Sequence, residues 1–108
     1  MKIKDKIIWI TGASSGIGEA LSILAVSSGA RVILSARSVT RLETLKKQLE
    51  AISPGSSSVV PLDVTKPEEI NKAVDTVTGQ FERIDILINN AGILSLIHIS
   101  EPTRLRRI

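Results

Sequence analysis

The stretch TGASSGIG, Thr11 to Gly18, decides the fold. Its glycines follow GxxxGxG, at Gly12, Gly16 and Gly18, and the periodicity changes across it. Upstream, Ile7 to Thr11 (IIWIT) is a short apolar run rich in β-formers. Downstream, from Ile17, the residues Leu21, Leu24, Ala25 and Ser28 recur at helical spacing until Gly29. The stretch therefore hands a strand over to a helix. Glycine at such a junction lets the backbone turn sharply and approach a ligand closely, and the free N–H groups that open a helix attract negative charge. Ser14 and Ser15 add hydroxyl donors. A pyrophosphate cradle and a plain tight turn both fit the glycines taken alone; the strand before and the helix after favour the cradle.

Working outward, the same alternation continues. Arg31 to Ala36 (RVILSA) is a second short apolar run. After it, Val39, Leu42, Leu45, Leu49 and Ile52 mark one buried helix face, leaving Arg41, Lys46, Lys47 and Glu50 to water until Pro54 and Gly55. Val59 to Leu62 reads as a third strand, with Pro61 near its end. Thr65 then matches a helix N-cap with Glu68 three residues on, a capping-box spacing, and Ile70, Ala73, Val74, Val77 and Phe81 form the next apolar stripe. Ile84 to Ile88 (IDILI) is the fourth strand. Short apolar strands alternating with amphipathic helices predict an α/β protein with a parallel sheet and right-handed crossovers.

Composition narrows the chemistry. The 108 residues have room for one domain, and a hydrophobic share of 43% suffices for a core. With no Cys and a single His, His98, neither disulfides nor a metal centre is expected. The net charge of +3 is concentrated at the end: residues 94–108 hold three Arg and one Glu, so residues 1–93 carry 11 Lys and Arg against 10 Asp and Glu. A body so nearly neutral, without a recognisable module, argues against a nucleic-acid partner. The apolar run behind Lys2, Lys4 and Lys6 is too short for a signal segment or a membrane span, so we expect a cytoplasmic protein with no membrane partner.

Two readings of the glycine stretch compete. Gly12, Ser14 and Gly16 also spell GxSxG, a nucleophile elbow, but a serine hydrolase needs a downstream acid and a His, and His98 lies far along the chain. For the dinucleotide reading, the residue that follows the second strand matters. An acid there accepts from a ribose 2′-hydroxyl, whereas an Arg accommodates a 2′-phosphate. Here it is Arg37, which favours NADP over NAD; a solvated Arg near a helix start is the bland alternative.

TGASSGIG, then Asp63-Val64-Thr65 after the third strand, then Asn89-Asn90-Ala91-Gly92 after the fourth, resemble in order and spacing the short-chain dehydrogenase/reductase family. The resemblance covers residues 1–93. It implies the N-terminal half of a Rossmann-type doubly wound sheet, strand order 3-2-1-4, ending after the fourth strand. It also implies a hydride transfer between a nicotinamide cofactor and a small carbonyl or alcohol substrate, in a parent protein that is a homo-oligomer. By that resemblance Gly12, Ser14, Ser15, Gly16, Ile17 and Gly18 hold the pyrophosphate, Arg37 the 2′-phosphate, and Asp63 and Val64 the adenine. Asn89, Asn90, Ala91 and Gly92 brace the sheet and line the ribose beside the nicotinamide. The family's catalytic Ser, Tyr and Lys lie farther along its fold, and this sequence has no Tyr at all, so no residue here is expected to be catalytic. A non-catalytic nucleotide-binding module is the second hypothesis.

After Ile93 the pattern breaks. Leu94 to Arg104 (LSLIHISEPTR) resembles the conceptual translation of a sequencing-library adapter, so we expect residues 94–108 to be a non-native tail. The apolar fourth strand would then be left as an open edge.

Overall fold

In the computed structural model, which describes residues 2–90 and the backbone of Arg106–Arg107, β1 (Ile7–Thr11) occupies the middle of a parallel sheet with all five residues buried. A strand covered on both faces has no reason to alternate apolar with polar, which is why IIWIT reads as a continuous run. Its side chains nonetheless alternate between two cores. Ile8 and Ile10 join Val32 and Leu34 of β2 (Arg31–Ser35) beneath α1 (Gly16–Ser27) and α2 (Val39–Ile52). Ile7 and Trp9 join Ile33 on the other face, under α3 (Pro67–Gln80).

With β3 (Ser57–Val59) and β4 (Ile86–Asn89) the strand order is β3-β2-β1-β4, as expected, every pair parallel. Ile8 lies opposite Val32 on one side and Ile86 on the other. The ladder of β3 sits earlier than the predicted Val59 to Leu62. The chain still runs extended beyond it, because the amides of Val60 and Leu62 donate to the Leu34 and Ala36 carbonyls at 2.9 and 3.1 Å. That alternation turns position 61 to the open side of the sheet, where a proline lacking its N–H forfeits no ladder bond.

Three local expectations are corrected. The Thr65 capping box does not form: Thr65 donates its hydroxyl and its amide to Asp63 Oδ1, at 2.6 and 3.0 Å. The helix opens instead at Pro67, after Lys66, with no side-chain cap. A proline at the first helical position loses nothing, since that N–H has no intrahelical partner. In α1 the buried residues are Gly18, Ser22, Ala25 and Val26, while Leu24 is 62% exposed and Ser28 is exposed. Small side chains bring this helix close to the sheet, so its inner face is set by size rather than by hydrophobicity. In α2, Leu42, Leu45 and Leu49 are buried as expected, but the end positions Val39 and Ile52 are nearly half exposed.

The fourth strand's ladder begins at Ile86, with Ile84 still in the core. Its outer edge is not fully open: β5 (Arg106–Arg107) pairs parallel with it, Arg106 opposite Ile86 and Arg107 opposite Leu87. The domain boundary expected at Ile93 lies outside the described residues.

Candidate functional site

The carboxyl ends of β1, β2 and β4 meet above a cleft of about 440 Å³, lined by Gly12, Ser14, Ser15, Arg37, Asp63, Val64 and Asn90 among others. The strand order reverses direction between β1 and β4, the place where parallel sheets of this kind leave a crevice.

The loop between β1 and α1 is built around one carbonyl. Gly12 has φ +65°, a left-handed conformation that costs glycine little. Its oxygen accepts from the Ser15 amide (3.2 Å), the Ser15 hydroxyl (2.8 Å) and Asn90 Nδ2 (3.1 Å). Asn90 Nδ2 also donates to Ser15 Oγ at 2.8 Å, tying the end of β4 to the glycine loop. Because Ser15 turns its hydroxyl back to Gly12, it does not cap the helix that it precedes. The first i→i−4 bond runs from Glu19 N to Ser15 O, so the amides of Gly16, Ile17 and Gly18 lie ahead of the helical ladder.

Gly16 and Gly18 are glycines for opposite reasons. A Cβ on Gly16 would meet nothing within 4 Å, leaving room for a ligand against the backbone. A Cβ on Gly18 would stand 2.2 Å from the Gly12 carbonyl oxygen, so Gly18 lets α1 pack on the end of β1. An open approach and outward amides at a helix start fit a pyrophosphate. Ile17 is 69% exposed.

Asn89 and the other sites behave differently from one another. Thr11 donates its hydroxyl to Asn89 Oδ1 (3.2 Å) and the Ile88 carbonyl (3.4 Å), so Asn89 braces β4 against β1. Asn89, Gly16, Ile17 and Gly18 do not line the cleft itself. Ala91 and Gly92 lie outside the described residues. The Thr65 hydroxyl, then the Thr65 amide, then the charges of Lys66 and Arg37, hold the Asp63 carboxyl below its ordinary range, so it is ionised beside the cleft at neutral pH. Asp85 sits at the opposite end of the sheet, accepting from the Ile7 amide (2.8 Å) and paired with Arg83 (3.0 Å), a structural role.

Arg41 and Ser38 also line the cleft, and sequence reasoning missed both. Its apolar spacing places Arg41 on the watered face of its helix. The usable signal was position: a helix whose cap is Ser38 puts Arg41 in its first turn, on the end that faces the cleft.

A family model described as short chain dehydrogenase matches residues 6–106. The chain belongs to the short-chain dehydrogenase/reductase family. An uncharacterized oxidoreductase of Staphylococcus saprophyticus is 46% identical over 92 residues, covering 85% of this chain and 36% of that protein. A metagenomic short-chain oxidoreductase solved in complex with NADP superposes with TM-score 0.78 at 32% identity, over 86% of this chain and 42% of that one. The L-sorbose reductase of Gluconobacter frateurii, complexed with NADPH and L-sorbose, has TM-score 0.78 at 38% identity, over 85% of this chain and 36% of its own. The chain thus spans little more than a third of the Staphylococcus relative's length. Membership in this family speaks against the serine-hydrolase reading of Ser14. Among the described residues there is no His, Cys, Asp and Glu grouping fit for a metal, and no helix long and apolar enough to cross a membrane.

Proposed function

We propose that residues 1–93 are the NADP(H)-binding half of a short-chain oxidoreductase that moves a hydride between nicotinamide and a carbonyl or alcohol substrate. The observation that supports this is the pair of glycines: Gly16 leaves open space against the backbone, and Gly18 lets the start of α1 pack on the Gly12 carbonyl at the end of β1. The cofactor, when bound, supplies or accepts the hydride. The chain's own residues bind and orient it. The amides of Gly16, Ile17 and Gly18 hold the pyrophosphate; Asn90 keeps the loop in shape through Gly12 and Ser15. Asp63 and Val64 flank the adenine, and Arg37, standing where an NAD-selective site carries an acid, receives the 2′-phosphate. Asn89, Ala91 and Gly92 hold the sheet end and the ribose nearest the nicotinamide. NAD is the weaker partner. The two cofactor-bound structural relatives, one with NADP and one with NADPH, support this choice.

The same proposal makes residues 94–108 a non-native tail and places the catalytic groups in the remainder of a longer, cytoplasmic, homo-oligomeric parent with no nucleic-acid or membrane partner. The 108-residue chain is then a binding fragment without turnover. Titration of the purified chain with NADPH, followed by cofactor fluorescence, should show saturable binding, while NADPH oxidation with a panel of ketones and aldehydes stays at background. No binding by a folded chain refutes the cofactor reading; measurable turnover refutes the inactivity.

A further inference from the structure

We propose that the outer edge of β3 is built to refuse strand addition by a second copy of this chain, and that Glu50 and Pro61 are the two residues that close it. An edge strand presents a row of unpaired N–H and C=O groups, and another chain can pair with them unless something occupies or removes them. On β3 the inward and outward positions can be told apart. The Ser56 carbonyl accepts from the Val32 amide at 2.8 Å, and the Val60 and Leu62 amides donate to the Leu34 and Ala36 carbonyls, so the even positions face β2. Ser57, Val59 and Pro61 therefore turn their backbone groups to the open side.

The outward donors on either side of Val59 are withdrawn by different means. Glu50, near the end of α2, reaches across to β3: its Oε2 accepts from the Ser57 amide (3.1 Å) and the Ser57 hydroxyl (2.8 Å), while its Oε1 accepts from the Gly55 amide (2.8 Å). The carboxylate thus sits where the first hydrogen bond of an added strand would form, and displacing it would bury a charge that has lost its partners. The tight turn between the two elements holds it there: the Ser56 amide donates to the Ser53 carbonyl at 3.2 Å, and Gly55 supplies φ +79°. At the other end Pro61, exposed, has no N–H to offer. Val59 keeps its outward amide, but a ladder needs bonds at every second residue, and one donor between a carboxylate and a proline cannot begin it. Glu69 and Lys72 of α3 line the groove beside Val59, Val60 and Pro61, and charge beside an edge further disfavours an apolar partner strand. The β4 strand, ILIN, contains neither a proline nor a charged residue. One edge of the sheet is guarded and the other is not, so self-association is directed to the β4 side.

The test follows amide hydrogen exchange of residues 55–62 by mass spectrometry at low and high micromolar concentration. It compares the full chain with Glu50→Ala, Pro61→Ala and the double variant, and circular dichroism melts check that each is folded. In the unaltered chain the exchange of this segment should not depend on concentration. The double variant frees the Ser57 amide and restores an N–H at position 61. Its exchange should slow by about threefold at high concentration, the factor reached when about two thirds of the edges are paired. Each single variant should show a smaller slowing. Trp9→Phe, which weakens the buried core and leaves the edge intact, serves as the control for lost stability. If the unaltered chain already gains protection over residues 55–62 as concentration rises, the edge is open and the proposal fails. A folded double variant whose exchange stays independent of concentration also overturns it, because nothing was being guarded. Equal protection in Trp9→Phe overturns it as well, by tracing association to lost stability. Should the double variant lack a cooperative melt, Glu50→Gln, which keeps one acceptor oxygen, takes its place and is judged by the same outcomes.

Discussion

Gly16 and Gly18 are two residues apart, yet their substitutions should have opposite consequences. Gly18→Ala drives a methyl into a backbone carbonyl that cannot move away, and overpacking of this kind costs about 1–3 kcal/mol or more. Urea denaturation should show that loss. Gly16→Ala meets open space, so its stability should stay close to the parent's while NADPH affinity falls about tenfold or more, equivalent to about 1.4 kcal/mol. Unchanged affinity in a folded Gly16→Ala would mean that no ligand comes close there. Trp9 gives a third residue-level test. It is fully buried, and its indole N–H donates to Ser35 Oγ at 2.8 Å beneath the cleft. Trp9→Phe leaves the Ser35 hydroxyl without that donor and should cost about 1–3 kcal/mol by the same denaturation. The glycine pattern was visible in the sequence, but the division of labour between Gly16 and Gly18 was not, because it depends on where the Gly12 carbonyl comes to lie.

At the scale of elements, short continuous apolar runs and 3.6-residue spacing located β1 to β4 and α1 to α3, though not β5, because strands and helix faces that are buried must carry apolar side chains whatever the neighbours are. Element ends were less legible. Thr65 and Glu68 have the spacing of a capping box, but Asp63 is nearer to Thr65 and takes its hydroxyl and amide first. The inner face of α1 is not marked by its leucines, because close approach to the sheet favours the small residues Gly18, Ser22 and Ala25. The α2-to-β3 connection carries its own prediction. Glu50 accepts from the Gly55 amide (2.8 Å), the Ser57 hydroxyl (2.8 Å) and the Ser57 amide (3.1 Å), clasping the end of α2 to β3. The Gly55 amide foremost, then the Ser57 hydroxyl, hold its carboxyl below the ordinary range. A carboxyl with a depressed folded pKa stabilises the fold above its unfolded pKa and loses that contribution as pH falls through the folded one. Stability should therefore decline as pH drops below about 5, and Glu50→Gln should be less stable near neutrality with a shallower acid decline. Identical acid profiles for the two proteins would show that the clasp contributes nothing.

For the whole molecule, two cores on opposite faces of one sheet hold the carboxyl ends of β1, β2 and β4 together, and the cleft follows from that arrangement. The same arrangement creates a liability. Among the described residues β4 is paired on its outer side at Ile86 and Leu87 alone, and α1 presents Ile17 and Leu24 to solvent. Unpaired strand groups and exposed apolar side chains promote association, so sedimentation velocity across the micromolar range should show species that grow with concentration. A monomer at every concentration would contradict this. Linear order was enough to establish the α/β class with its parallel sheet and the glycine turn between β1 and α1, because each depends on neighbours a few residues away, while the strand order came with the family resemblance. Which side chains meet was settled by folding. Asn90 reaches Gly12 across 78 positions and Ser15 across 75, and Arg41 comes to line the cleft beside Arg37 only once α2 docks on the sheet. Contacts of that span arise from the parallel stacking of strands, whose register brings distant residues to the same level, and no local pattern encodes them.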